Sequence, residues 1–112
     1  MSKAPITTHI LNLEQGKPAT GIKVTLHCLT TQQPIAQALT DADGRVLNWD
    51  KPLTLIAGNY MLHFALAPWY QAQSLNNFYP EVNITFSVTD PQQHYHVPLL
   101  LNAYGYSTYR GS

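Results

Sequence analysis

The sequence predicts an all-β fold, an antiparallel β-sandwich. Three observations carry that expectation. Apolar and polar residues alternate with period two over several segments of strand length. Turn-forming residues separate those segments at intervals of about ten residues, the rhythm of a sandwich. The 112 residues fit one domain, residues 1–112, and a chain of that size buries roughly 65% of its unfolded surface.

The elements follow in order. Ile6 to Leu11 is the first candidate strand, with His9 on the face opposite Ile6, Thr8 and Ile10. Gln15-Gly16-Lys17-Pro18 breaks the chain before Ile22 to Cys28, where Ile22, Val24, Leu26 and Cys28 share one face. Ile35 to Thr40 is the next strand. It ends at Asp41-Ala42-Asp43-Gly44, a turn in which Asx side chains hold the backbone and glycine supplies positive φ. Ala57-Gly58-Asn59 opens the strand Gly58 to Leu66. Trp69 to Phe78 lacks alternation, and Ser74 to Phe78 is expected to form a short helix ended by Pro80. Val82 to Val88 alternates again, and Thr89-Asp90-Pro91 closes it. His94 to Leu101 and Tyr104 to Arg110 complete the set. Pro98 restricts its strand to an edge, a bulge, or a point where its missing N–H faces no partner.

Charge is scarce, at 11% of residues against a typical ~25%. Six basic and six acidic residues cancel, which excludes a nucleic-acid binder with its basic footprint. A hydrophobic fraction of 45% excludes a charge-rich disordered tail. So few charges call for a neutral polar surface, or for surface hidden against partner chains. The one cysteine, Cys28, allows no intrachain disulfide and suits a reducing compartment. Met1-Ser2-Lys3-Ala4-Pro5 leads straight into an alternating segment, with no apolar run of signal-peptide or membrane-span length. The chain therefore reads as soluble and cytoplasmic, with no membrane partner.

Few residues stand out chemically. His94 and His96 share one face of their strand, and with His9, His27 or His63 they form at most a weak metal-ligand pattern. Arg45 follows the Asp41 turn, and Arg110 lies in the terminal Tyr109-Arg110-Gly111-Ser112. Taken singly, each reads as a surface residue. The tail differs from a frayed end because Leu99-Leu100-Leu101, Tyr104 and Tyr106 precede it closely. The sequon Asn83-Ile84-Thr85 lies within a strand. The Asp41 turn lacks the distal glutamate of a calcium loop. No serine-nucleophile or phosphate-loop motif occurs.

Six segments together carry a resemblance: Thr8-His9-Ile10-Leu11-Asn12, Gly16-Lys17-Pro18-Ala19, Thr40 to Arg45, Phe78-Tyr79-Pro80-Glu81-Val82, His94 to Leu101, and Tyr104 to Ser112. The chain closely resembles the transthyretin-like 5-hydroxyisourate hydrolases from about Pro5 to its last residue. The terminal Tyr-Arg-Gly-Ser is the most specific part, since it separates the hydrolases from the hormone-carrying transthyretins. The chain departs from the commonest pattern at Asn12 and at Asn102-Ala103, outside the site positions.

The resemblance implies an eight-stranded antiparallel sandwich with one short helix, assembled as a homotetramer, a dimer of dimers, with sites between dimers. It implies that 5-hydroxyisourate is hydrolysed to 2-oxo-4-hydroxy-4-carboxy-5-ureidoimidazoline in purine (urate) catabolism. Catalytic positions would be His9, Arg45, His96 and Ser112. The substrate-binding set would be His9, Arg45, His96, Tyr109, Arg110, Gly111 and Ser112, with no metal and no cofactor. His94 aligns beside the site without a catalytic role. Neutral histidines would activate water and the guanidinium would offset the developing oxyanion. The alternative reading is a non-catalytic, transthyretin-type small-ligand binding protein.

Overall fold

The computed structural model describes residues 3–112. Met1 and Ser2, where the reading of the leader begins, lie outside the described residues. Nine strands and one helix occur among the described residues: β1 (Ile6–Asn12), β2 (Lys17–Pro18), β3 (Lys23–Cys28), β4 (Gln33–Leu39), β5 (Arg45–Val46), β6 (Gly58–Ala65), α1 (Leu66–Gln71), β7 (Glu81–Val88), β8 (Tyr95–Asn102) and β9 (Gly105–Thr108). The seven longer strands are those the alternation predicts, with ends shifted by one or two residues at most positions. The two-residue strands β2 and β5 raise the count from the expected eight to nine.

The strands form two sheets. One runs β2-β1-β8-β9 with β5 also paired to β1, and the other runs β4-β3-β6-β7. Between them lies a core that includes Ile6, Ile10, Val24, Leu26, Tyr60, Leu62, Phe64 and Leu99. These side chains come from the inward positions of facing strands, as period two requires. Apart from the Tyr70 hydroxyl, the buried side-chain polar groups among the described residues are paired. Thr8 Oγ1 donates to the Val97 carbonyl at 2.6 Å, and Thr40 Oγ1 to the Ala19 carbonyl at 2.7 Å.

One ladder departs from the antiparallel expectation. β1 and β8 run parallel, from Ile6 beside Tyr95 to Asn12 beside Leu101. Pro98 fits here because its backbone faces away from β1. The β9 ladder starts only at Leu99 paired with Thr108, and the next tie outward is His96 to Gly111. No strand N–H partner is forfeited at Pro98, and its carbonyl accepts from Thr108 Oγ1 at 2.6 Å.

The helix is also displaced from its expected place. It occupies Leu66–Gln71, not Ser74 to Phe78. Leu66 and Tyr70 are one turn apart and both buried, so one face packs on the sandwich. Pro68 sits in the first turn, where a missing N–H costs nothing. Ser74 has φ +56°, which breaks helical geometry at the first residue of the predicted segment. Among the described residues no helix is long and apolar enough to cross a membrane.

Candidate active site

The site is built on the outer face of the five-stranded sheet. Ile6, Thr8 and Ile10 of β1 point inward and are 0% exposed, so Thr7 and His9 take the opposite face. The parallel ladder sets Thr7 beside His96, and on the other side of β1 the β5 ladder sets Arg45 beside His9. Three strands thus bring His9, Arg45 and His96 together from 87 positions of sequence (9 to 96).

The Asp41 turn aims Arg45. Asp41 Oδ1 accepts from the backbone N–H of Asp43 and of Arg45, each at 2.9 Å. The Gly44 N–H donates to the Asp41 carbonyl at 2.9 Å, and the Gly44 carbonyl accepts from the Ile10 N–H at 2.7 Å. Gly44 has φ +75°, and a Cβ there would run into the Ile10 carbonyl. The turn is therefore riveted to β1 one residue from His9.

The imidazoles are held neutral. Burial lowers the His9 pKa and the Arg45 guanidinium adds to it, while Asp43 and Asp41 push the other way without reversing it. His96 is lowered by burial first, then by His94, Arg45, His9 and Lys3. His94 is lowered by burial, Lys3 and Arg110. Near pH 7 each ring therefore has one unprotonated nitrogen, as a general base needs.

Thr7 is the residue that sequence reasoning passed over. It is 1% exposed, and its Oγ1 lies 2.7 Å from His96 Nδ1 and 3.1 Å from His94 Nε2. The signal was available, since alternation that turns Thr8 inward puts Thr7 on the His9 face.

The tail divides. Gly111 joins the site: its N–H donates to the His96 carbonyl at 2.8 Å. An added Cβ would sit 2.6 Å from His96 Cδ2 and 3.4 Å from Pro98 Cγ. Glycine is required because the backbone approaches the imidazole too closely for a side chain. Ser112 follows directly and is exposed. Tyr109 and Arg110 turn elsewhere within the chain. They line a cleft of about 320 Å³ with Ile84, Phe86, Tyr95 and Val97. The Arg110 guanidinium lies 4.5 Å over the Tyr95 ring and donates to the Gln93 Oε1 and the His94 carbonyl, each at 3.2 Å. Their side chains are thus not gathered with His9, Arg45 and His96. Among the described residues, no group of three or more His, Cys, Asp or Glu side chains is placed to hold a metal ion.

Known proteins share this chain's sequence and shape. It is 41% identical over 112 residues to a probable 5-hydroxyisourate hydrolase of Caenorhabditis elegans, covering 97% of this chain and 82% of that protein. Its fold superposes on Klebsiella pneumoniae 5-hydroxyisourate hydrolase with a TM-score of 0.84 at 33% identity, covering 96% of this chain and 98% of the other. Sea bream transthyretin, solved in complex with thyroxine, gives a TM-score of 0.87 at 26% identity, covering 96% and 95%. A family model described as HIUase/Transthyretin matches residues 6–111. With the sandwich, the site face and these likenesses together, the chain belongs to the HIUase/Transthyretin family.

Proposed function

We propose that this single domain is a 5-hydroxyisourate hydrolase of purine (urate) catabolism. One observation carries the reading: two histidines held neutral and an arginine converge on one open sheet face. A pure carrier needs no such pairing of base and cation. The relatives named as hydrolases support the same choice.

His9 and His96 position a water and take its proton as the oxygen attacks the activated ring carbonyl. Arg45 presents planar forked donors to the carbonyl oxygen and offsets its developing charge, an effect worth about 10²–10³ in rate for one donor. The ring C–N bond then opens to give 2-oxo-4-hydroxy-4-carboxy-5-ureidoimidazoline. Ser112 supplies its hydroxyl at the rim, beside the Gly111 brace. Arg110 and Tyr109 act through the tail they anchor. No metal or organic cofactor enters this scheme.

The enzyme works in the cytoplasm as a homotetramer, a dimer of dimers. An open sheet face gains walls only from a second copy, and the free edges β7 and β9 are available for pairing. Exposed Phe78 (66%) and Tyr104 (73%) add apolar surface for such contacts. The test is the ultraviolet decay of freshly generated 5-hydroxyisourate, with protein and without, repeated after strong chelation. Acceleration that survives chelation is the expected result. Unchanged decay removes the hydrolase reading and leaves the ligand carrier.

A further inference from the structure

We propose that Thr7 is a positioning residue that fixes the tautomer of His96 and relays its proton to His94. Both parts rest on the hydrolase reading, which selects between two tautomers, but the tautomer can be read in the resting protein without turnover.

The hydroxyl of Thr7 has one proton to give and lone pairs to receive. Among the described residues its hydrogen-bond partners are His96 Nδ1, at 2.7 Å, and His94 Nε2, at 3.1 Å. At 1% exposure it has no water to turn to, so it donates to one ring and accepts from the other. Two arrangements satisfy it. If Thr7 donates to His96, that ring carries its proton on Nε2 and the lone pair facing the site is lost. If Thr7 donates to His94 Nε2, His96 donates from Nδ1 and keeps the Nε2 lone pair free. Only the second arrangement makes His96 a base.

The same geometry gives the proton a way out. His94 and His96 lie nearly parallel, 14° apart in plane, with centroids at 6.4 Å. Water's proton goes to His96 Nε2 as its oxygen bonds the carbonyl carbon. The Nδ1 proton then passes to Thr7 Oγ1, while the Thr7 proton passes to His94 Nε2. His96 is left neutral, and the positive charge moves to His94, which is exposed. When the ring C–N bond breaks, the Nε2 proton goes to the leaving nitrogen and both transfers reverse. His9, Arg45, His94 and Lys3 all face His96 and oppose a lasting cation there. Lys3 and Arg110 face His94 and favour the return.

Nitrogen-15 spectra of histidine-labelled protein decide the first part. His96 is expected to show a protonated Nδ1 and an unprotonated Nε2, opposite to the form free histidine favours. Thr7→Val, which keeps shape but loses the hydroxyl, should switch His96 to the Nε2–H form, and Thr7→Ser should restore it. His96 already in the Nε2–H form in the unaltered protein overturns the assignment, and so does an unchanged tautomer in Thr7→Val. Kinetics decide the second part. Thr7→Val should lower kcat about 10- to 100-fold with KM held, and its rate in mixtures of light and heavy water should become linear. His94→Ala, at an exposed position, should linearise that plot too; a plot that stays curved overturns the relay. Missing turnover with the expected tautomer would sink the relay and the hydrolase reading but not the pairing. Turnover with the wrong tautomer would sink only the inference.

Discussion

Both sheets carry half-buried histidines on their outer faces, and comparing them shows what makes a site. On the four-stranded sheet, His63 lies at the register of Thr25 and Asn83. Its Nδ1 donates to Asn83 Oδ1 at 2.7 Å, and Asn83 Nδ2 donates to Glu81 Oε2 at 2.8 Å. On the five-stranded sheet, His9 and His96 face an arginine, and His96 rests on a buried hydroxyl and a glycine backbone. The residue type and depth are alike. The difference lies in the neighbours: a cation and a dry, locked orientation on one face, an exposed amide and carboxylate on the other.

The sharpest way to break this contrast is to truncate one histidine on each face. His96→Ala should lower kcat/KM by about 10²–10⁴, the usual worth of a general base, while His63→Ala leaves it unchanged. Equal losses in the decay assay would mean that the contrast has no catalytic content. A smaller effect is expected at the brace. Gly111→Ala pushes a methyl group against the His96 ring, and misplacement on the order of 1 Å costs about 100-fold. Circular dichroism and melting should stay near those of the unaltered protein, because the change lies outside the core.

The smallest effect is on stability. His9, His94 and His96 bind protons less readily folded than unfolded. Below the ordinary histidine pKa of about 6.5 the unfolded chain takes up more protons. Stability should therefore fall as pH drops from 6.5, and level once the folded rings protonate as well. Denaturation midpoints between about pH 7 and pH 5 would show this. His9→Gln with His94→Gln should flatten the dependence.

Much of this architecture was legible in the sequence. Period two exposed all seven long strands, because one face of each packs on the core. It carries no information about partner or direction, so the parallel run of β1 beside β8 was invisible. The helix was misplaced because Leu66 reads as the last residue of an apolar strand. Its pairing with Tyr70 one turn on emerges only when both are seen buried. At the site, His9, Arg45 and His96 read singly as surface residues, and only the family resemblance picked them out, although the Asp41 turn had a mechanism on its face. The destination of Arg110 did not follow from its type, since Tyr95 captures a guanidinium that could have reached outward. Gly111 reads as a turn residue until the imidazole beneath it is seen.

The parallel β1–β8 ladder also bears on the order in which the molecule forms. Thr8 and Val97, tied by a buried hydrogen bond, are 89 residues apart in the chain. During synthesis, β3, β4 and β6 can associate as hairpin-like neighbours long before β8 exists, while β1 waits without its partner. Closing so long a loop carries an entropic cost before any contact rewards it. The face that carries His9, Arg45 and His96 is consequently incomplete until β8 is made, and a nascent chain stalled before β8 holds an exposed, unpaired β1 edge that is prone to aggregation.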